Sequence, residues 1–303
     1  MRKPGLIVLF GPTASGKSAL ALALAERLGG TVVNADSMQV YRELPVLTAQ
    51  PDADVRARVS HQLYGELPAA EPCSVGLWLQ QATEALAEAS ATGRAPVVTG
   101  GTGLYLEALL DGIAPVPDVP TELRAEARAL DVAILRARLA DLDPPAASLP
   151  DRQRLARAYE VVHATGRPLA WWQARPRDRL ELPQPVLRLA LLPPRQELAA
   201  RIGGRFDAML AAGAVEEVAR LLSLGLDRRL PAMKAVGVPE LAAHLRGEVS
   251  LDEARARAVA ASRRYAKRQR TWLRGRMGDF AVLPDFGEAI DPEAALEYGR
   301  RRG

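Results

Sequence analysis

The chain has 303 residues, of which 48% are hydrophobic and 25% are charged, a balance typical of a globular protein. No stretch approaches the roughly 20 apolar residues that a membrane helix needs, so we expect no membrane association. The net charge of +4 favours an anionic partner without identifying it.

The cysteine and lysine contents are both low. A single cysteine, Cys73, excludes an intrachain disulfide and a cysteine-rich zinc site. The apolar run near the start is short, so we expect no signal peptide and predict a cytoplasmic protein. Lysine occurs only at Lys3, Lys17, Lys234 and Lys267 in a chain otherwise rich in arginine, which makes these positions candidates for a specific need for an ammonium group.

Hydrophobic periodicity predicts alternating strands and helices in the first part of the chain. Strands are predicted at residues 6–10, 31–34, 95–99 and 187–192, and helices at residues 19–28 and 75–91. Continuous apolar strands separated by helices are typical of a parallel sheet covered on both faces. The predicted fold class is therefore α/β.

A proline-bounded segment interrupts this pattern and has helical spacing throughout. Helices are predicted at residues 122–130, 134–142 and 152–165 within it, and at residues 195–222, 238–245 and 251–276 beyond it, with Gly213, Gly225 and Gly247 as breaks. We therefore predict a catalytic core of residues 1–116 and 189–303 and an all-helical insertion domain at residues 117–188.

A phosphate-binding loop follows the first strand. The motif G-x-x-x-x-G-K-[ST] is matched by Gly11, Pro12, Thr13, Ala14, Ser15, Gly16, Lys17 and Ser18. Backbone N–H groups and Lys17 would bind phosphate oxygens, and Ser18 is the candidate ligand of a Mg²⁺ cofactor. The motif predicts a P-loop NTPase-like sheet and a polyphosphate ligand, but does not say whether phosphate is transferred, hydrolysed or released as a leaving group.

Two further strands end in candidate catalytic residues. Asp36 follows the second strand at the edge where parallel sheets bind ligands, so it is a candidate general base. Asp is also common in turns and helix caps, and this alternative stays open. Thr102 follows glycines after the third strand and either contacts a substrate or caps a helix.

The last predicted helix is strongly basic. No acid occurs in residues 255–276, where cations alternate with Tyr265 and Trp272. This pattern favours binding to a nucleic-acid backbone, although a solvated helical face would give the same pattern. For Trp171, Trp172 and His61 we predict packing roles.

Taken together, these motifs resemble the bacterial tRNA dimethylallyltransferase family. The resemblance is carried by residues 11–18, 36–41, 100–105, 153–158, 201–210, 235–237 and 265–272. It implies transfer of a dimethylallyl group from dimethylallyl diphosphate to N6 of the adenosine at position 37 of tRNA, immediately 3′ of the anticodon. It implies that Asp36 is the base, that Lys17, Ser18 with Mg²⁺ and Arg205 stabilise the departing diphosphate, and that Thr102 belongs to the catalytic group.

The resemblance also implies a tRNA-facing surface and no protein partner. The residues expected there are Asp36, Ser37, Met38, Gln39, Thr102, Arg124, Gln153, Arg154, Leu155, Ala156, Arg157, Lys234, Gly237, Lys267 and Arg268. The insertion would grip the anticodon stem-loop, and the adenosine would leave its stack to be reached. The chain departs from the family pattern at Leu47, Gln50, Val238 and Pro239 and in a short loop at residues 143–151.

Two other functions fit some of these features. A small-molecule kinase would also use the phosphate loop and Asp36, but it gives no role to the basic helix or the insertion. A non-catalytic RNA-binding protein switched by a nucleotide would explain the basic helix, but not a carboxylate beside the loop.

Overall fold

Six parallel strands form one sheet in the computed structural model, which describes residues 4–302. They are β1 (Leu6–Phe10), β2 (Thr31–Asn34), β3 (Ser60–Gln62), β4 (Pro96–Gly100), β5 (Val186–Leu191) and β6 (Ala281–Leu283). Their order is β3-β2-β4-β1-β5-β6, and each neighbouring pair is parallel. The predicted P-loop NTPase-like sheet flanked by helices is confirmed. The edge strands β3 and β6 were not predicted, because three residues are too few to show a period.

The helices surround this sheet and fill the insertion. They are α1 (Lys17–Leu28), α2 (Pro45–Thr48), α3 (Ala53–Arg58), α4 (Val75–Ala91), α5 (Gly103–Asp111), α6 (Thr121–Ala129), α7 (Val132–Leu142), α8 (Pro144–Ala147), α9 (Arg152–Thr165), α10 (Leu169–Gln173), α11 (Arg195–Ala211), α12 (Ala214–Ser223), α13 (Val238–Leu245), α14 (Leu251–Arg276) and α15 (Pro292–Arg302). Gly213, with φ of 93°, divides the stretch predicted as helical at residues 195–222. Between residues 4 and 302, no helix is both long and apolar enough to cross a bilayer.

The described chain divides into two compact units. One is Asp111–Leu180, which contains α6 to α10, and the other is the rest of the described chain, which contains the whole sheet. The helical unit has its own apolar core, which includes Leu135, Leu139, Leu155 and Tyr159. The sequence placed the boundaries of this segment several residues later, at 117 and 188.

The central strands of the sheet are buried on both faces, as their apolar sequences require. Every residue of β1 and β4 is buried. Leu20 and Leu24 of α1 and Leu296 of α15 pack on the sheet in one core cluster. Trp78 of α4 is fully buried, and its Nε1 donates to the Asn34 carbonyl at 2.8 Å, which ties this helix to the end of β2.

The strand order places a ligand site at the carboxyl end of β1. Strand β1 lies between β4 and β5, and the chain leaves it towards β2, on the β4 side. Only later does the chain reach β5, on the other side of β1. Where the strand order changes direction in this way, a parallel α/β sheet has a crevice at its carboxyl edge. The phosphate loop and the turns after β2 and β4 all lie at this edge.

Candidate active site

The phosphate loop has the conformation of an anion-binding turn. Ala14 and Gly16 adopt left-handed backbone conformations, with φ of 64° and 80°. A side chain at Gly16 would also collide with the Gly287 N–H and the Glu288 carboxylate. The Ser15 hydroxyl is fully buried without a hydrogen-bond partner in the described chain, and no side chain caps the start of α1. Unsatisfied donors at a helix N-terminus fit a phosphate ligand.

A buried lysine and a half-buried arginine lie at this loop. Lys17 is only 8% exposed, and the half-buried Arg205 donates from Nη1 to Thr13 Oγ1 at 3.3 Å. Burial lowers the pKa of Lys17 to about 8; nearby Asp36 opposes this shift, and Arg205 adds to it. Burial also lowers the pKa of Arg205, again against the attraction of Asp36. The site therefore holds two desolvated cations near one carboxylate, and a diphosphate would compensate their charge.

Asp36 has the turn geometry and also lines the pocket. Its N–H donates to Asn34 Oδ1 at 2.8 Å, and its Oδ1 accepts from the Met38 N–H at 3.0 Å. The Asn34 amide also donates to the Asp36 carbonyl at 3.0 Å. The turn interpretation of Asp36 is therefore correct. It occupies only Oδ1, which leaves Oδ2 for chemistry in the pocket that Asp36 lines together with Lys17.

Thr102 connects the turns that follow β2 and β4. Its Oγ1 accepts from the Ser37 N–H at 2.9 Å and lies 3.2 Å from Ser37 Oγ, while its own N–H donates to the Ala35 carbonyl at 3.2 Å. A side chain at Gly100 would collide with the Ala35 carbonyl, so this close approach requires glycine there. Thr102 thus fixes the backbone next to Asp36.

Gln269 is a site residue that was not predicted. Its Oε1 accepts from the Thr13 N–H at 2.9 Å, and its Nε2 donates to the Gly101 carbonyl at 2.9 Å. One buried amide of α14 therefore joins the phosphate loop to the turn after β4. The signal was present: Gln269 is a polar residue on the buried face of a helix, between Ala266 and Leu273.

We expect Gln269→Ala to lower kcat/KM for dimethylallyl diphosphate, the prenyl donor that the resemblance implies, by about 10- to 100-fold, and the free energy of unfolding by about 1–3 kcal/mol. The reason is that it leaves one buried and one partly buried backbone group unsatisfied. Steady-state kinetics and denaturant unfolding measure the two effects. Gln80→Ala is the matched control, because Gln80 is exposed and its side chain, within residues 4–302, bonds only to Glu84, at 3.3 Å. If Gln269→Ala kept the wild-type kcat/KM for the donor, Gln269 would have no role in donor binding or transfer.

A pocket beside the loop combines polar and apolar lining. The polar lining residues are Thr13, Lys17, Ser18, Asp36, Gln39, Thr48, Arg205, Ser262 and Tyr265; the apolar ones are Met38, Leu47, Ile202, Phe206, Met209, Ala235 and Val236. Burial raises the pKa of Tyr265, so its hydroxyl stays protonated. The pocket suits a ligand with a charged end and a hydrocarbon end.

Leu47, a departure from the family pattern, is held in the apolar lining by a buried acid. The Glu217 carboxylate accepts from the N–H groups of Val46 at 2.7 Å and Leu47 at 2.9 Å. Burial raises the pKa of Glu217, and these two hydrogen bonds oppose the rise. A side chain at Gly237, where φ is 101°, would lie 2.7 Å from Leu47 Cδ2 and 3.3 Å from Phe206 Cε2. Gly237 thus leaves room for the lining.

Three other departures, Gln50, Val238 and Pro239, and the neighbouring Thr48 have defined places in the structure. The Gln50 amide donates to the Tyr41 carbonyl at 2.8 Å. Thr48 lines the pocket, and its carbonyl accepts from the Gln39 amide at 2.9 Å. Val238 is buried and Pro239 is exposed, both in the first turn of α13.

Within the helical unit, the residues expected to face tRNA differ in accessibility. Gln153 and Arg154 are exposed, but Leu155 and Ala156 are buried in the core of this unit. Their side chains were expected to face tRNA, but they pack in this core instead. Arg157 is half-buried and pairs with Glu160 at 3.2 Å, and Arg124 is half-buried with Asp118 at 4.0 Å.

In the sheet-containing unit, Lys234, Lys267 and Arg268 are exposed. The Arg268 guanidinium lies 5.5 Å from the centre of the Tyr265 ring. Ser37 and Met38 are half-exposed in the turn of Asp36, whereas Gln39 is buried and supports the Thr48 backbone. Of the predicted catalytic residues, Asp36, Lys17 and Arg205 all line the pocket beside the phosphate loop.

Comparisons with known proteins agree with the family that the sequence motifs resemble. The IPP transferase model matches residues 39–276, and the isopentenyl transferase model matches residues 4–58. The tRNA dimethylallyltransferases of Rhodospirillum rubrum and Rhodospirillum centenum are 54% and 51% identical, over 92% and 97% of this chain and 88% and 95% of their own. The full-length tRNA isopentenylpyrophosphate transferase of Bacillus halodurans, a crystal structure, is 31% identical with a TM-score of 0.70, covering 99% of this chain and 95% of that one. The chain belongs to the IPP transferase family.

Proposed function

We propose that this protein transfers a dimethylallyl group from dimethylallyl diphosphate to N6 of the adenosine immediately 3′ of the anticodon of tRNA, with release of diphosphate. The observation that carries the proposal is a single pocket that combines a phosphate-binding loop, a carboxylate and an apolar lining. The donor has a diphosphate that suits the phosphate-binding loop and a short hydrocarbon that suits the apolar lining. Acting on tRNA, the enzyme belongs in the cytoplasm.

The phosphate loop serves the leaving group in this reaction. The bond between the allylic carbon and oxygen breaks, and negative charge grows on the diphosphate. Lys17, Arg205 and the loop N–H groups are already oriented and desolvated, so they stabilise this charge without reorganising.

Ser18 fits a role as a Mg²⁺ ligand. Its side chain is exposed at the pocket, and it makes no hydrogen bond within residues 4–302. A hydroxyl oxygen is a hard ligand of the kind that Mg²⁺ accepts, with phosphate oxygens supplying further positions. Ser18 would hold the ion against the diphosphate, where its charge would assist departure.

Asp36 acts on the acceptor. The adenine N6 is a poor nucleophile, since its lone pair is conjugated with the ring. As N6 forms its bond to the allylic carbon, its proton passes to Asp36 Oδ2, the carboxylate oxygen that the turn leaves available. Thr102 is a positioning residue that holds the neighbouring backbone at Ser37.

The apolar lining protects the donor from water. Leu47, Phe206 and Met209 offer no hydrogen bonds to a water molecule beside the allylic carbon. Exclusion of water favours transfer to N6 over hydrolysis of the donor.

The acceptor is bound by exposed polar and basic residues. We assign tRNA contacts to Arg124, Gln153, Arg154, Arg157, Lys234, Lys267 and Arg268, all of them at least partly exposed. Such contacts to an anticodon stem-loop would hold the backbone while the target base leaves its stack.

The test mixes the purified protein with Mg²⁺, dimethylallyl diphosphate labelled in the hydrocarbon, and unmodified tRNA with adenosine 3′ of the anticodon. We expect label in RNA, lost when this adenosine is replaced by guanosine, because guanine lacks the N6 amine. Absence of transfer to any tRNA by folded protein would contradict the proposal. ATP-dependent phosphorylation of a small metabolite would then favour a kinase, and nucleotide-dependent RNA affinity a switch.

A further inference from the structure

A buried leucine on α2 belongs to the apolar lining of the pocket. Leu47 lines the pocket together with Phe206, and the two residues are only 7% and 3% exposed. Their side chains meet over Gly237, where an added Cβ would lie 2.7 Å from Leu47 Cδ2 and 3.3 Å from Phe206 Cε2. Leu47 is therefore packed against backbone behind it and has no room to move away from a ligand in that direction.

Two buried polar side chains hold α2 from its opposite ends. At its start, the Glu217 carboxylate accepts from the N–H groups of Val46 at 2.7 Å and Leu47 at 2.9 Å. At its end, Gln39 Nε2 donates to the Thr48 carbonyl and to the carbonyl of the next residue, both at 2.9 Å. The position of Leu47 is thus fixed by side chains from outside α2.

Helix α2 depends on these contacts because it is very short. It has four residues, about one turn, so its stability must come from tertiary contacts. Glu217 is 1% exposed, and no cation lies at ion-pairing distance from it within residues 4–302. The two N–H groups of α2 are the main compensation for burying this carboxylate. A wall held in this way rejects a larger ligand by steric overlap, whereas a wall that yields would adapt to it.

We propose that Leu47, positioned by Glu217, restricts the donor to a five-carbon allylic group. The phosphate loop fixes the diphosphate end of the donor, so carbon added at the other end must be placed among the apolar lining residues. Because Leu47 cannot move aside, the longer chain is excluded. The proposal rests on the proposed function, since it concerns the hydrocarbon of the same donor.

Leu47→Ala should allow transfer from a longer donor without changing the chemistry. The substitution removes an isopropyl group, which leaves more room than one added methylene needs. The probe is 3-methylpent-2-enyl diphosphate, which has one methylene more than the dimethylallyl donor. Its allylic carbon forms the bond to N6, the electron pair of its C–O bond leaves with diphosphate, and the N6 proton passes to Asp36.

The test gives both donors in competition to wild-type enzyme and to Leu47→Ala, with tRNA in excess, and measures the ratio of the two products. An extra methylene costs about 10- to 200-fold in a hydrophobic pocket, so the wild-type enzyme should prefer the dimethylallyl donor by that factor. In Leu47→Ala the preference should fall below about threefold. This ratio does not depend on the concentration of active enzyme, so partial unfolding of a variant does not affect it.

Leu44→Ala is the matched control. Leu44 is fully buried, lies three residues before Leu47 and does not line the pocket, so the same truncation there should keep the wild-type preference. If Leu47→Ala does not fold, Leu47→Val makes the same test, because its side chain is shorter by the methylene that the longer donor adds. A wild-type preference in the Leu47 variant would overturn the proposal, including the case in which only KM for tRNA changes.

Glu217→Gln tests the positioning role. Each carboxylate oxygen of Glu217 accepts from one N–H group, and glutamine replaces one of these oxygens with a donor. Loss of that hydrogen bond should lower the preference by about three- to tenfold in the presence of Leu47. In Leu47→Ala the same change should have less than about a twofold effect, because the side chain to be positioned is gone. An equal effect in both backgrounds would overturn the role of Glu217. Failure of the proposed function is distinguishable, since the wild-type enzyme would then transfer neither group to tRNA.

Discussion

Asp36→Asn should slow turnover by about 10²–10⁴-fold while leaving both substrates bound, because it removes the proton acceptor and its charge but keeps the shape of the side chain. The side chain keeps its size, and the amide oxygen still accepts from the Met38 N–H. The affinity for diphosphate should rise, because Lys17 and Arg205 lose the carboxylate that attracts them. Single-turnover transfer and equilibrium binding of donor and tRNA measure the effects separately.

Asp36→Ala separates the turn from the base. It removes the hydrogen bond to Met38 as well as the proton acceptor. If Asp36 is the base, the Asn and Ala variants should be slow to a similar degree. If the turn is its main role, Asp36→Asn should retain nearly wild-type turnover and only Asp36→Ala should fail. A loss below tenfold in the Asn variant would therefore assign the base to another group.

The phosphate loop could be predicted from sequence because its chemistry is local. Eight consecutive residues supply the turn, the helix start and the ammonium group, so the spacing alone specifies the arrangement. The same holds for Asp36, whose position after a buried strand places it at the ligand-binding edge of a parallel sheet. In both cases the structure adds distances to a site that could already be inferred.

The groups that support the site could not be predicted in this way. Gln269 reaches Thr13 across 256 positions, and Glu217 reaches Val46 across 171. Each is one polar residue on an otherwise apolar helix face, and no local pattern says which distant backbone group it meets. Leu155 and Ala156 show a different limit. They belong to a motif that was expected to face tRNA, but their positions around the helix bury their side chains, whereas Gln153 and Arg154 are exposed.

Lys17→Met should lower donor kcat/KM by about 10²–10³-fold, the effect typical of losing one group that stabilises a developing negative charge. Methionine keeps an unbranched stem of similar length, so the apolar contacts of the side chain survive. Binding of inorganic diphosphate, measured by calorimetry, should weaken in parallel. Retention of wild-type diphosphate affinity would place the anion elsewhere.

The pH dependence identifies the group responsible. Burial favours the neutral amine and lowers the Lys17 pKa to about 8, so the free enzyme loses this charge as pH rises through about 8. Donor kcat/KM of the wild-type enzyme should therefore fall above this pH, by up to tenfold per pH unit. Bound diphosphate stabilises the ammonium form, so kcat at saturating donor should stay level to higher pH.

In Lys17→Met this alkaline fall in kcat/KM should disappear. The competing phenol in the pocket, Tyr265, has its pKa raised by burial and so titrates further from this range. If the fall persists in the variant, a group other than Lys17 must lose the proton, and the ammonium cannot be the charge that captures the donor.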